Sequence, residues 1–216
     1  MDITDENFAQ DIKKEFPKIR VELFNSSALI AYAEKEIRGV KDLISVDIGK
    51  GVGSGIIIDG RIYTGASGTA GEFGHISIDM NGKQCKCGNR GCTELYTNTD
   101  LITKKAALVL GEEKVSLKRV YEEALKGNAD IINIINEVTN ILSYALVGLI
   151  NMMAPQSVVI SGKIKELKET FIIPLKEAVD NNCSQRQTEI VYSSVGGNAI
   201  TLGGALYEFE NMVNEI

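Results

Sequence analysis

The chain has 216 residues, 44% of them hydrophobic, which is enough to bury a real core as one domain or two small lobes. Its 29 acidic side chains against 23 basic ones leave a net charge of -6, a balance that repels phosphates and argues against direct nucleic acid binding. The N-terminus MDITDENFAQDIKK is acidic and lacks a signal peptide's apolar core, and the most apolar window, 131–153, is broken by Asn133, Asn136, Glu137, Asn140, Ser143 and Asn151, so neither secretion nor a membrane span is expected and the chain reads as cytoplasmic.

In chain order, IRVEL (19–23) alternates like a strand, and Asn25 to Ser27 can cap the Ala-rich run from Ala28 to Ile37 as a helix. LISVDIG (43–49) and GIIIDG (55–60) are β-branched runs joined through Gly49, Gly51, Gly53 and Gly55. A turn at Asp59-Gly60 then leads into RIYTG, predicting an antiparallel meander. The glycine-rich stretch 65–74 is too flexible for regular structure, and FGHISID returns to strand-like alternation around Ile76 and Ile78. From Leu101 onward the pattern is helical: short amphipathic segments near 101–110 and 115–125, then a long helix over 128–153 that Pro155 ends or just follows. SVVIS (157–161) reads as a buried strand, Gly162 as a turn, Lys163 to Val179 as a helix bent at Pro174, EIVYS from Glu189 as a further strand, and Ala199 onward as the last helix. That β-α-β-α order belongs to a parallel sheet edge.

Three of the four cysteines lie within eight residues, a clustering that in a cytosolic chain favours metal over disulfides, while Cys183 lies far away. With the chain's only histidine they form His75-x9-Cys85-x-Cys87-x4-Cys92, one imidazole and three thiolates, the Cys3His set of a tetrahedral structural zinc site. Four protein ligands leave no open position for water, so the metal is expected to be structural. The bland alternative is reduced cysteines beside an ordinary buried histidine.

The stretch GTAGEFGHISIDMNGKQCKCGNRGCTELYT (68–97) resembles the signature of the ROK family (repressor, open reading frame, kinase), and the resemblance continues through VDIGKGVGSGIIIDG, VVISGKIKE and TLGGALY. It implies an α/β, actin-like ATPase (ribonuclease H-like) fold, mainly its C-terminal lobe with a zinc-binding loop. Residues 1–40 would be a strand-plus-helix remnant of the N-terminal lobe and 41–216 the C-terminal domain. Glu72, His75 and Glu94 match family positions that hydrogen-bond sugar hydroxyls, and Asn25 matches a further contact. Solvated carboxylates and a helix cap are the competing readings.

The family's kinases carry an Asn-Asp pair whose Asp is the general base. Here Asn25 is followed by Ser26, whose hydroxyl cannot replace a carboxylate in that role. The phosphate hairpin, usually Gly-Thr-Gly, reads Gly49-Lys50-Gly51, followed by Gly53, with Asp47 where a small hydroxyl residue is usual, so ATP and magnesium are not expected. The resemblance therefore points to a non-catalytic, sugar-sensing, homodimeric portion of a xylose-repressor-like regulator without its DNA-binding segment. Two alternatives stand beside it: a divergent ATP-dependent sugar kinase, and a zinc module with no ligand.

Overall fold

The computed structural model describes residues 5–183 and 187–214. The strands are β1 (Leu43–Ile48), β2 (Val52–Ile58), β3 (Arg61–Ile62), β4 (Ser157–Ser161) and β5 (Glu189–Tyr192). The helices are α1 (Asp5–Glu15), α2 (Ser26–Arg38), α3 (Glu94–Thr97), α4 (Thr99–Leu110), α5 (Leu117–Leu125), α6 (Ala129–Met153), α7 (Glu169–Asn182) and α8 (Ala199–Asn214).

One mixed sheet runs in the order β3-β2-β1-β4-β5. The meander β1-β2-β3 is antiparallel, with Ile48 opposite Val52 across the glycine hairpin and Ile57 opposite Ile62 at the second turn. β1 pairs in parallel with β4, and β4 with β5, the crossover being α7. The period-2 alternation of β1 assigns its faces: Ile44, Val46 and Ile48 join the large core under α4 to α7, while Leu43 packs with Ala31, Tyr32, Ile57 and Val159 under α2 and α8.

Helix α6 is the spine of the large core. Asn128 caps it by accepting from the Ile131 N–H, and Ala154, in the left-handed region at φ 43, ends it one residue before Pro155. Its buried stripe runs Ile131, Ile134, Ile135, Val138, Leu142, Ala145, Leu146 and Leu149, each large side chain contributing about 1.5–3 kcal/mol by leaving water. Length and composition alone would let α6 cross a membrane, yet 56% of its most apolar stretch is buried in the fold, as befits a core helix.

Three expectations are corrected. IRVEL is not a strand: among the described residues no sheet neighbour pairs with it, and Ile19 and Leu23 are 57% and 45% exposed. FGHISID holds no strand either, because Phe73–His75 makes one turn of 3-10 helix and Ser77 forms only an isolated bridge to Cys92. The helix expected over 163–179 is broken at Lys168, whose φ of 45 separates a 3-10 segment, Lys163–Leu167, from α7. Pro174 is accommodated inside α7.

Two close approaches position the rest. A Cβ on Gly55 would lie 2.2 Å from the Ser27 carbonyl oxygen, and one on Gly74 would lie 2.0 Å from that of Val52. β2 is thereby pressed between the start of α2 and the turn that carries His75.

Candidate metal centre and adjoining cleft

The loop from Ile76 to Thr93 folds back on itself through short backbone bonds. Cys85 N–H donates to the Asn89 carbonyl (2.8 Å), Gly91 N–H to Lys83 (2.9 Å) and Thr93 N–H to Ile76 (2.9 Å). This folding brings the ligand atoms of His75, Cys85, Cys87 and Cys92 within 4.8 Å of one another. The Cys85 Sγ lies 3.7 Å from His75 Nδ1, and the Cys87 and Cys92 sulfurs are 3.6 Å apart. A tetrahedral zinc with ordinary bond lengths requires about 3.8 Å between two thiolates and about 3.6 Å between thiolate and imidazole, so the donor set and its spacing fit the ion.

Electrostatics divides the thiols. Without a metal, the Asn89 backbone N–H is the main influence holding the Cys87 thiol below its ordinary range, whereas burial, reinforced by Cys87 and Cys85, pushes Cys92 up to about 12. An entering metal must therefore displace a proton from Cys92, and uptake weakens as pH falls.

His75 turns its two nitrogens in opposite directions: Nδ1 faces the thiols and Nε2 faces the Glu72 carboxylate at 3.8 Å. That gap is long for a direct hydrogen bond, leaving the imidazole edge and a 59% exposed carboxylate side by side at the surface. Glu94 opens α3. One carboxylate oxygen accepts from the Val52 N–H (2.9 Å) and the other lies 3.8 Å from Lys86 Nζ, so it joins the metal loop to the base of the glycine hairpin. The hairpin is braced again where Thr99 N–H donates to the Gly49 carbonyl (2.8 Å).

Asn25 is spent partly on its own helix, accepting from Ser27 N–H (2.9 Å) as the N-cap of α2. It also lines a cavity of about 350 Å³ with Gly55, Thr64, Gly68 and Ala70, on the loop that runs on to Glu72. Ser26 stands exposed at the first residue of α2. Asp47 lies across the sheet's end, accepts from the Ser161 hydroxyl (2.8 Å) and faces a cavity of about 410 Å³ with Gly162, Lys165, Gly196 and Gly197.

Sequence reasoning missed the buried Glu34. Fully inaccessible, it accepts from Val195 N–H (3.0 Å), from the Ser194 hydroxyl (3.3 Å) and from Arg38 Nε (2.8 Å), while Arg38 donates on to the Tyr192 carbonyl (2.9 Å). This network holds the segment after β5 that walls the Asp47 cavity. The signal available was a carboxylate on the apolar side of α2 with an arginine four residues later.

The family model described as ROK matches residues 1–210. The chain belongs to the ROK family. It is 31% identical over 205 residues to the xylose repressor of Bacillus spizizenii, covering 91% of this chain and 53% of that protein. It is 33% identical over 179 residues to that of Bacillus subtilis, covering 80% and 46%. A glucokinase of Halalkalibacterium halodurans is 29% identical over 183 residues, covering 77% and 56%. The chain thus spans about half the length of the curated ROK relatives it matches. Among solved structures, a ROK hexokinase from Thermus thermophilus superposes with a TM-score of 0.82 at 21% identity, over 96% of this chain and 72% of that one. A ROK family transcriptional regulator, a homologue of the E. coli MLC protein, gives 0.81 at 27%, over 94% and 55%. The actin-like ATPase fold of the ROK family is therefore the fold of this chain, and repressors and kinases both stand among its relatives.

Proposed function

We propose that this chain is the non-catalytic, sugar-sensing portion of a cytoplasmic ROK transcriptional regulator that works as a homodimer, with residues 1–40 as the remnant of an N-terminal lobe and 41–216 as the sensing domain. The observation that carries this reading is Ser26, exposed at the head of α2 beside Asn25, where the family resemblance places the kinases' general base. Its hydroxyl remains protonated near neutral pH and cannot take a proton from a sugar hydroxyl.

Zinc, when bound by His75, Cys85, Cys87 and Cys92, supplies structural cross-linking and fixes the imidazole tautomer. With Nδ1 committed to the ion, Nε2 keeps its proton and donates to a sugar hydroxyl, which in turn donates to Glu72. A hydroxyl fits this role because it both accepts and donates. Glu94 contributes its lone pairs from the hairpin side, and Asn25 donates from the far wall through its Nδ2 amide group, which is not used in capping. The effector is a sugar, and nucleic acid contact belongs to a separate DNA-binding segment. Gly49, Gly51 and Gly53 remain as a phosphate-hairpin remnant, with the Asp47 carboxylate disfavouring phosphate beside them.

The second reading, a divergent ATP-dependent sugar kinase, draws on the glucokinase relatives and on the glycine-lined cavity at the end of β4. Calorimetry over a panel of pentoses, hexoses and N-acetylamino sugars, with the Glu72→Ala variant as control, tests the proposal. Saturable binding lost in the variant is expected. A chain that binds none of them contradicts it. Elemental analysis is expected to give one zinc per chain.

A further inference from the structure

Cys87 is the exposed member of the cluster, whereas Cys85 and Cys92 are 3% and 0% exposed. Its sulfur lies 3.6 Å from that of Cys92. The two sides of this pair differ in freedom. Gly88, next to Cys87, has only open space where a side chain would go, and its arm is held by bonds local to the turn, Gly88 N–H to the Cys85 carbonyl (3.1 Å) and Gln84 Nε2 to the Gly88 carbonyl (3.0 Å). On the other arm a Cβ on Gly91 would lie 1.8 Å from the Asp79 carbonyl oxygen, and both the N–H and the hydroxyl of Thr93 donate to the Ile76 carbonyl at 2.9 Å. Cys92 is therefore buried and hemmed in, whereas Cys87 is exposed with open space beside it, so Cys87 is the sulfur with room to approach the other. On its other side Cys87 adjoins Lys86, which faces Glu94, which in turn holds the Val52 N–H of the hairpin.

We propose that Cys87 is an oxidation site for hydroperoxides, and that its oxidation closes a disulfide with Cys92 and opens the metal centre. The inference rests on the zinc reading given above. The Cys87 thiolate attacks one peroxide oxygen and the O–O bond breaks, leaving a sulfenic acid and, from hydrogen peroxide, hydroxide. The Cys92 thiolate then attacks the sulfenic sulfur and expels a second hydroxide as the S–S bond forms. Two electrons pass from the two thiolates to the peroxide. With Cys87 and Cys92 joined, only His75 and Cys85 would remain as donors, too few to retain a bound zinc.

The test uses the whole chain as isolated. Zinc is first counted by elemental analysis, hydrogen peroxide is then added in the presence of a chromophoric zinc chelator too weak to strip untreated protein, and the products are mapped by peptide mass. The expected result is one zinc released per chain together with a Cys87–Cys92 disulfide, both reversed by dithiothreitol plus zinc. A Cys183→Ser variant is expected to behave identically, since that buried sulfur, 3.7 Å from Asn151 Oδ1, lies outside the cluster. Zinc retained with Cys87 unmodified, or a disulfide that maps to Cys85, overturns the proposal while leaving the zinc reading standing. Protein that contains no zinc before peroxide is added overturns the metal reading itself.

Discussion

Gly74 is the position where the fold and the candidate site depend on the same atoms. A methyl group there would stand 2.0 Å from the Val52 carbonyl oxygen and 3.2 Å from Val52 Cβ, contacts that ordinary van der Waals separations do not allow. The offending atoms are the backbone and Cβ of β2, fixed by pairing with β1, so either the Phe73–His75 turn or the strand must retreat by roughly 1 Å. Overpacking of this kind costs about 1–3 kcal/mol. The turn carries His75, and metal–ligand distances tolerate only about 0.2 Å, so Gly74→Ala is also expected to weaken zinc binding by about 10–100-fold. Urea unfolding of metal-loaded and metal-stripped protein separates the two effects: the stripped variant loses only the packing part, and the loaded variant loses more. Gly148→Ala is the control, because its site on α6 is exposed with nothing within 4 Å, and it is expected to gain about 1 kcal/mol of helix propensity. A Gly74→Ala protein with parental zinc affinity would refute the claim that β2 positions His75.

Glu34→Ala removes a buried partner of Arg38 and strips the acceptor from the buried Val195 N–H, so it is expected to cost about 3–5 kcal/mol in urea unfolding, far more than any exposed ion pair. Glu210 is held below the usual carboxylate range chiefly by the Tyr32 hydroxyl and then by Lys35. Its stabilising effect is complete above the unfolded carboxylate value and is lost as pH falls through the lower folded one, so Glu210→Gln is expected to flatten the acid limb of stability between pH 5 and pH 3, as read from urea midpoints. An unchanged acid limb would show that the α2–α8 contact does not depend on this carboxylate.

The parts of the fold legible in the sequence are those where one local pattern suffices. The 3.6-residue period of α6 needs no neighbour to be recognised, and the glycines between β1 and β2 mark a hairpin because the β-branched runs that flank them are close enough in sequence to pair directly. The cysteine spacing behaved the same way, converging through turns local to the loop. IRVEL fails because alternation reports which side chains are apolar, not whether a hydrogen-bonding partner exists, and among the described residues no strand pairs with it. FGHISID failed because the clamps from Thr93 and Arg90 onto the segment arise from residues more than a dozen positions away. The break at Lys168 carries no proline or glycine to announce it. Glu34 gives little sign in the sequence because a carboxylate in a helix is solvated by default, and only the packing of the segment after β5 onto α2 buries it.

The sugar-sensing reading turns on whether this chain binds sugar without transferring phosphate. Isothermal titration of the panel, followed by incubation of each bound sugar with ATP and magnesium and detection of sugar phosphate, measures both properties on one preparation. Saturable binding without phosphorylated product is the predicted result, and phosphorylation that disappears in Glu72→Ala would contradict it.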